Sequence, residues 1–502
     1  MYTQILDYLN KKFGCSLSSN IYSKIDEWRD WWEGFHKPFH RYKISDGEKI
    51  VERDMYVLDM GKKVCEDWAS ILLNDKTEIV VDDETASRFL VGKEGEGTGG
   101  VLGFNKFWPR ANALVEKTAW SGTGAVVARV KGMTNRLSDG EVIPDADARI
   151  HLSYVTADCI IPLSWEDGEI TEVAFCSRKT LLGKPALYLE MHTLNDNGHY
   201  VIENEYFCIG ADGQTLTRAD LPKGKLAKWE TKSPIPLFSI LKFAVVNNLN
   251  HRQYPDSGHG ISVIENCIDC LKGVDLAYNN LNCDFKLGMK KVFMSKNLLQ
   301  QDEQGRYITP DDAGQQLFTY VEGAASMSGE SNQLIQEHNP QLRVDENTTG
   351  IQFELDCLSF KAGLGLKHYQ FNSGTSVVTA TQYNGDRQDM VQNANKHYIN
   401  VEAFLVQLVK AILWLGKTCI DPSIKADANI KIQFDDSIII DKESERLRDK
   451  EDVRDQIMAK WEFRAKWYGE SEEEAKAAIE AIESGEMEDD DGLNDLGDGG
   501  DG

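Results

Sequence analysis

The chain has 502 residues and a formal net charge of −26, with 81 acidic against 55 basic residues. That length calls for more than one domain, and 41% hydrophobic residues suffice for real cores. The acidic balance argues against a protein that grips phosphate backbones over a wide surface, but not against an acidic wall past which a duplex slides.

The opening stretch MYTQILDYLNKKFG mixes polar and acidic residues among apolar ones, which predicts a short amphipathic helix rather than a signal peptide. No apolar run approaches the length needed to span a bilayer, so no membrane partner is expected. Residues 1–75 read mostly as helices. Trp28, Trp31 and Trp32 gather beside Phe35, Phe39 and Tyr42 around Pro38. Packing of a helical arm on its own domain or a neighbouring subunit is preferred over an aromatic binding platform. A second helix is expected from Met55 to Leu73 and a strand over Thr77–Val81. The Gly-rich stretch Gly92–Gly103 lacks phosphate-loop order, because Lys93 follows its first glycine rather than its last, so it reads as a flexible loop. A helix follows over Phe104–Ser121.

From Gly124 to Leu241 the pattern changes to short apolar or alternating runs, such as Ala125–Val130, Ile170–Ser177 and Tyr200–Ile209. Asp139-Gly140, Asp167-Gly168, Asn197-Gly198 and Asp212-Gly213 separate them, which predicts a β-rich region of hairpins. It holds no His/Asp/Ser constellation for hydrolysis. The runs of helices and of strands together place the chain in the α+β class.

Gly260–Lys296 joins a long amphipathic helix to a charge-sorted end. Ile261, Ile264, Ile268, Leu271, Val274, Tyr278, Leu281 and Phe285 recur at spacings of three and four, which predicts a helix over 261–287. Acids come early (Glu265, Asp269, Asp275) and bases late (Lys286, Lys290, Lys291, Lys296). Cys267 and Cys270 form a C-x-x-C, but Cys283 has no close partner to complete a zinc box, and the pair reads as small residues packed on a helix. The ten cysteines have no regular spacing, and the ten histidines are read as forming no H-x-H, H-x-x-x-H or HExxH cluster, which counts against a metal hydrolase.

Beyond Lys296 a small module runs to about Val344, with a hairpin-like piece at 300–323, and a helix follows near Gly350–Leu364. Tyr369–Gly385 then carries no charged residue in a chain that is 27% charged. Two readings stay open: a polar loop facing a charged polymer it must not hold tightly, or a buried β-like connection. A second long helix is expected over Asp386–Trp414, a strand pair in IKIQFDDSIII and charged helices over 441–482. The last twenty residues hold nine acids and no base and read as disordered; without them the rest still carries −17.

GHGISVIENCIDCLKGVDLAYNNLNCDFKLGMKKVF, FELDCLSFKAGLGLKHYQF, TATQYNGDRQDMVQNANKHYI and IKIQFDDSIIIDKESE together extend over most of residues 240–470. These stretches resemble the portal proteins of tailed bacteriophages, of the kind found in long-tailed phages of Gram-positive hosts. The resemblance implies a fold of wing, stem, clip and crown, with long channel-lining helices, assembled as a ring of about twelve subunits at one capsid vertex. Carried onto this chain, 1–259 become the wing, 260–290 a stem helix, 291–345 the clip and 346–368 the second stem helix. The tunnel-loop region becomes 369–385, the long kinked helix and wing strands 386–440, the crown 441–482 and the acidic tail 483–502. Asn372, Ser373, Gly374, Thr375, Ser376, Val377 and Val378 would face DNA in the channel, and Lys286, Lys290 and Lys291 would set basic rings near it.

The resemblance further implies double-stranded DNA bound without sequence specificity, and a separate terminase as motor, consistent with the lack of a Walker motif in this chain. It also implies scaffold, major capsid and head-completion partners, no catalytic, cofactor or metal site, and a place in the virion after assembly in the host cytoplasm. The competing readings are another phage minor capsid or connector protein and a cytoplasmic thiol-dependent enzyme.

Overall fold

The computed structural model describes residues 2–46, 49–74, 76–92, 99–135, 142–181, 183–210, 212, 215–222, 225–295, 298–300, 303–304, 317–321, 335–370, 380–434 and 442–483. The chain divides into two units, Met1–Ser376 with Asp386–Phe434, and Val377–Gly385 with Asp435–Gly502.

In the larger unit, the amphipathic start forms α1 (Tyr2–Phe13) and the Trp-rich segment α2 (Asn20–Trp32). A single turn, α3 (Lys37–His40), leads to the hairpin β1 (Arg41–Asp46) and β2 (Lys49–Asp54). This hairpin is not among the sequence expectations, although its Asp46-Gly47 dipeptide is a hairpin signal. Next come α4 (Met60–Leu72), β3 (Glu78–Val81), α5 (Glu84–Leu90), α6 (Gly100–Phe104) and α7 (Phe107–Ser121). The helix expected from Met55 starts at Met60, and 55–59 form an extended lead-in. Within the expected loop at 92–103, residues 93–98 lie outside the described residues and Gly100 opens α6.

The aromatic cluster is internal packing. Trp28 and Trp31 are buried. Trp32 stacks on Trp120 of α7 at 5.5 Å and donates to Glu116 at 3.1 Å. On the other side α1 lies on the sheet, where Tyr8 meets Phe207 edge-on and Lys12 pairs with Glu203 at 2.7 Å.

The expected β-rich region contains β4 (Thr123–Asn135), β5 (Val142–Thr156), β6 (Ile160–Glu166), β7 (Glu169–Leu181), β8 (Lys184–Leu194), β9 (Tyr200–Ile209), β10 (Leu216–Ala219), β11 (Lys228–Glu230) and β12 (Phe238–Lys242). One sheet has the order β10-β9-β8-β7-β6 with β11 also on β9, and a second has the order β12-β4-β5. Ala125, Val127, Ile160, Val173, Phe175, Tyr200 and Phe238 meet between them as a buried core, which is sheet-on-sheet packing with alternating inward residues. Asp167-Gly168 turns β6 into β7 with both residues at positive φ, as a two-residue hairpin loop requires.

The C-terminal half of this unit contains α8 (Ile268–Leu287), β13 (Lys291–Ser295), β14 (Phe318–Val321), β15 (Ile335–His338) and α9 (Val344–Lys361). The long helix α10 (Ala380–Leu415) closes in a π turn, Gly416–Ile420, and β16 (Ile430–Gln433) pairs with β3. The second strand expected at 435–440 lies outside the described residues. An 18-residue window within Gln388–Ile420 has mean hydropathy 1.6, so by length and composition this helix could cross a membrane, which corrects the expectation that no run approaches that length. It serves as a core helix. Leu405, Leu408, Val409 and Ile412 are buried, Ser239 of β12 donates to the Phe404 carbonyl at 2.7 Å, and Tyr398 donates to the Ile71 carbonyl at 2.8 Å.

The smaller unit contains α11 (Lys442–Arg454), α12 (Lys460–Tyr468) and α13 (Glu472–Glu483), in line with the charged helices expected there. It is tied by polar contacts: Trp467 and Lys466 both reach Asp449 at 2.8 Å, and Lys476 sits 4.5 Å over the Trp461 ring. Residues 484–502 lie outside the described residues.

Candidate functional site

The site is built on α8. Ile261 and Ile264, expected on the helix, are buried in the irregular segment before it, and a single 3₁₀ turn, Glu265–Cys267, leads into the helix at Ile268. Their apolar spacing reflects packing on α7. Val263 N–H and Ser262 Oγ both donate to the Ala119 carbonyl, at 2.9 and 3.0 Å. Gly122 (φ +78°) and Gly260 let two backbones touch: a Cβ on Gly260 would lie 2.4 Å from the Gly122 oxygen. Glu265 accepts from Trp28 Nε1 at 2.6 Å and pairs with Lys24 at 3.0 Å.

Two polar residues inside the apolar stripe anchor the first half of α8. Buried Asp275 accepts the Leu58 N–H at 2.8 Å and faces Nε2 of fully buried His40 at 3.1 Å. Asn279, one turn on, accepts the Tyr56 N–H at 3.1 Å. The lead-in to α4 is thus hung on α8. Sequence reading takes Asp275 only as an early acid. The available signal is an Asp and an Asn at i, i+4 in register with Leu271 and Val274. His36 and His40 (HKPFH) do form an H-x-x-x-H pair, the spacing of a helix-borne metal pair, which corrects the expectation that the histidines hold no such pattern. Here His40 Nδ1 accepts the His36 N–H at 2.7 Å, and His36 Nδ1 faces Asp30 at 3.2 Å. Among the described residues no cluster of three or more His, Cys, Asp or Glu could hold a metal ion.

His259, just before α8, is buried edge-on against Tyr22, and neither ring nitrogen has a hydrogen-bond partner among the described residues. Burial, and then the charge of Lys242, push its pKa down to about 3. The folded state therefore binds fewer protons than the unfolded chain between that value and the ordinary imidazole value, and stability falls as pH drops through about 6.5. At pH 5 this one group costs about 2 kcal/mol relative to neutral pH. His259→Phe is expected to reduce the loss of stability between pH 7 and pH 5 by that amount, measured by denaturant unfolding at both pH values. An unchanged loss would contradict a neutral buried imidazole.

α9 runs antiparallel along α8. Arg343 grips Asp284 through two nitrogens (2.8–3.1 Å), Asn347 donates to Asp284 at 2.8 Å, and Glu354 lies against Gly273, where a Cβ would come within 2.3 Å of its carboxylate. The pair is packed at one end only: past Asn279 no residue of α8 is buried, and before Ile351 no residue of α9 is. Phe285 and Leu287 are exposed at the open end, and Phe353 and Phe360 are exposed on the outer side of α9. An apolar surface of this kind on a described fold marks an interaction face.

At the far end, β13 pairs in parallel with β14 and antiparallel with β15. Within the piece expected as a hairpin, 300–323, β14 pairs with β13; residues 301–302, 305–316 and 322–323 lie outside the described residues. Lys286 in the last turn of α8 and Lys290 are exposed, and Lys291 at the start of β13 is half-buried. Lys290 is committed to Glu337 of β15 at 2.6 Å, whereas Lys286 and Lys291 have no ion-pair partner among the described residues. The three lysines therefore come together at one end of the helix pair, as the sequence order requires.

After α9, residues 362–370 are fixed from three sides. Trp68 donates to the Ala362 carbonyl at 3.1 Å, Asn393 to the Gly363 carbonyl at 3.1 Å and Gln352 to the Tyr369 carbonyl at 2.9 Å. Asp67 accepts from Tyr369 OH at 2.9 Å and faces His368 at 3.2 Å. Burial opposes ionisation of Asp67, but the hydrogen bonds from His368, Lys63 and Tyr369 outweigh it and hold the carboxyl below its usual range. Asn372, Ser373, Gly374, Thr375, Ser376, Val377 and Val378 lie outside the described residues. What is described is the firm base from which that stretch departs.

The C-x-x-C thiols are held in their protonated form. Burial pushes Cys267 up to about 12, and burial with Cys357 and Glu354 nearby raises Cys270, so neither offers a thiolate at neutral pH.

A family model described as phage portal protein, SPP1 Gp6-like, matches residues 18–447. The chain belongs to this family of phage portal proteins. The match takes in α8, the sheet β13–β15, α9 and α10 together, so the whole helix-pair site lies inside it. A comparison with curated proteins gives no match. Membership of the portal family makes the chain a ring-forming component of the phage capsid with a structural, connector role, and the mixed helix and sheet content agrees with an α+β fold.

Proposed function

We propose that the chain forms the ring at the unique capsid vertex through which double-stranded DNA is packaged and later ejected. In this reading α8 and α9 are the stem, the sheet β13–β15 belongs to the clip, 369–385 form the tunnel-loop region in front of α10, the β-sandwich lies in the wing, and α11–α13 make the crown. The ring docks a terminase on assembly, takes part in procapsid assembly with scaffold and major capsid proteins, and later accepts a head-completion protein. It assembles in the host cytoplasm and ends in the virion.

The observation that supports this best is the half-naked helix pair. Phe285 and Leu287 at the end of α8, and Phe353 and Phe360 on α9, stand exposed among the described residues, although the same two helices bury Leu271, Val274, Leu355 and Leu358. Neighbouring copies of the same helices in a closed ring would supply cover, leaving the polar and basic side chains for the lumen.

Phe353→Asp with Phe360→Asp is therefore expected to leave the single chain folded and to prevent ring closure. About twelve copies of a 56.5 kDa chain weigh roughly 680 kDa, a mass that light scattering separates easily from a monomer. A double variant that still forms full rings would remove the helix pair from the subunit interface.

A further inference from the structure

A cavity of about 300 Å³ opens between β4, the β8–β9 pair and the segment 225–237, away from α8 and α9. Its floor is polar. Glu190, almost fully buried, accepts from Arg129 Nε at 2.7 Å and from Tyr188 OH at 2.7 Å, and His192 Nε2 lies 3.0 Å from its other oxygen. Asn204 Oδ1 is also within 2.5 Å of Tyr188 OH, so one hydroxyl proton faces two acceptors. Its mouth is basic: Lys131 and Lys225 line it on exposed positions, and Lys225 Nζ sits 5.2 Å over the Tyr188 ring. Its walls are apolar, from Ile202, Leu226, Trp229 and Leu237.

Charge decides what this cavity is suited to hold. Glu190 is its only carboxylate, and Arg129 and His192 already use it. Lys131 and Lys225 make no ion pair among the described residues. Burial lowers the Lys225 pKa, Glu190 counteracts this in part, and Arg129, Lys179 and Lys131 lower it further, so several cations crowd around the one lining carboxylate. Such crowding is unusual in a chain of net charge −26. A dianion at the mouth would relieve it, and the apolar walls leave more room than a bare oxyanion fills.

We propose that this cavity is a binding site for a phosphomonoester: a phosphate held by Lys131 and Lys225, with an aromatic or apolar body against Trp229 and Leu226. Nucleoside monophosphates have this chemistry, and inorganic phosphate shares only its charged part. The site is independent of the proposed channel and does not depend on ring assembly.

The test is calorimetric titration of the full-length protein with adenosine monophosphate, inorganic phosphate and adenosine in parallel. Saturable binding is expected for the monophosphate, binding at least tenfold weaker for phosphate, and none for adenosine. Lys131→Ala with Lys225→Ala should weaken the monophosphate at least tenfold, and added salt should weaken it in the wild type. Lys225→Gln alone is the milder variant and should give a smaller loss in the same direction; both lysines are exposed and unpaired, and thermal melting checks that the variants stay folded. Phosphate binding as tightly as the monophosphate would reduce the site to an oxyanion site and overturn the proposed ligand class. Absence of saturable binding at millimolar concentration, equal affinity in the variants, or binding of a poly-glutamate peptide where neither phosphate ligand binds would overturn the site.

Discussion

Lys286→Glu, Lys290→Glu and Lys291→Glu together are expected to lower DNA packaging at least tenfold while rings still form. The three side chains lie within six residues at one end of the helix pair, and ring symmetry would multiply whatever charge one subunit presents. Reversal would turn a band of weak phosphate contacts into an acidic barrier, with like charges repelling over a Debye length of about 8–10 Å. One complication is local: Lys290 pairs with Glu337, so Lys290→Glu alone sets two carboxylates against each other across β13 and β15. Lys290→Glu combined with Glu337→Lys restores that pair and separates sheet stability from channel charge. Lys286→Glu carries no such complication, because Lys286 has no ion-pair partner among the described residues. Packaging at the wild-type level in the triple variant, with rings intact, would remove the lysines from the path of DNA.

Asp275→Ala is expected to lower the stability of the larger unit by roughly 3–5 kcal/mol, because it leaves a buried imidazole nitrogen and a backbone N–H unpaired. The two groups are His40 Nε2 and the Leu58 N–H. Asn279→Ala leaves the Tyr56 N–H unpaired and removes the weak acceptor of the Cys283 thiol, and should cost about 1–2 kcal/mol. Denaturant unfolding of the two variants under identical conditions checks both size and order. The reverse order would mean that α8 is held to α4 chiefly by its apolar stripe. Since α8 carries Lys286 and leads directly to Lys290 and Lys291, loosening its root should widen the spread of positions at its far end.

How far sequence reached can be traced residue by residue. The β-rich region was legible because Asp-Gly and Asn-Gly dipeptides sit between alternating runs: Asp167-Gly168 is a two-residue turn, and Asn197-Gly198 and Asp212-Gly213 lie in longer connections between paired strands. The same rule applied at Asp46-Gly47 marks β1–β2, where a helical expectation for the whole N-terminal region masked it. Helix α8 was legible in its middle but not at its start. Ile261 and Ile264 keep helical spacing, yet they are buried by a segment hydrogen-bonded to Ala119, a contact between residues far apart in the chain. The parallel pairing of β13 with β14 is likewise long-range, and no local pattern announces it. For the site, the clustering of Lys286, Lys290 and Lys291 followed from their order, but the commitment of Lys290 to Glu337 did not. The apolar spacing of α10 pointed to a buried side, while its most apolar window is also long enough for a membrane; packing against β12 and α4 agrees with the buried side.

The most direct measurement is an electron-microscopy reconstruction of the purified full-length protein. The expected result is a closed ring with an axial opening, in which Phe285, Phe353 and Phe360 are covered by neighbouring copies and Lys286 faces the lumen. A protein that stays monomeric or dimeric under all conditions, or a ring with Lys286 buried between subunits, would contradict the channel reading.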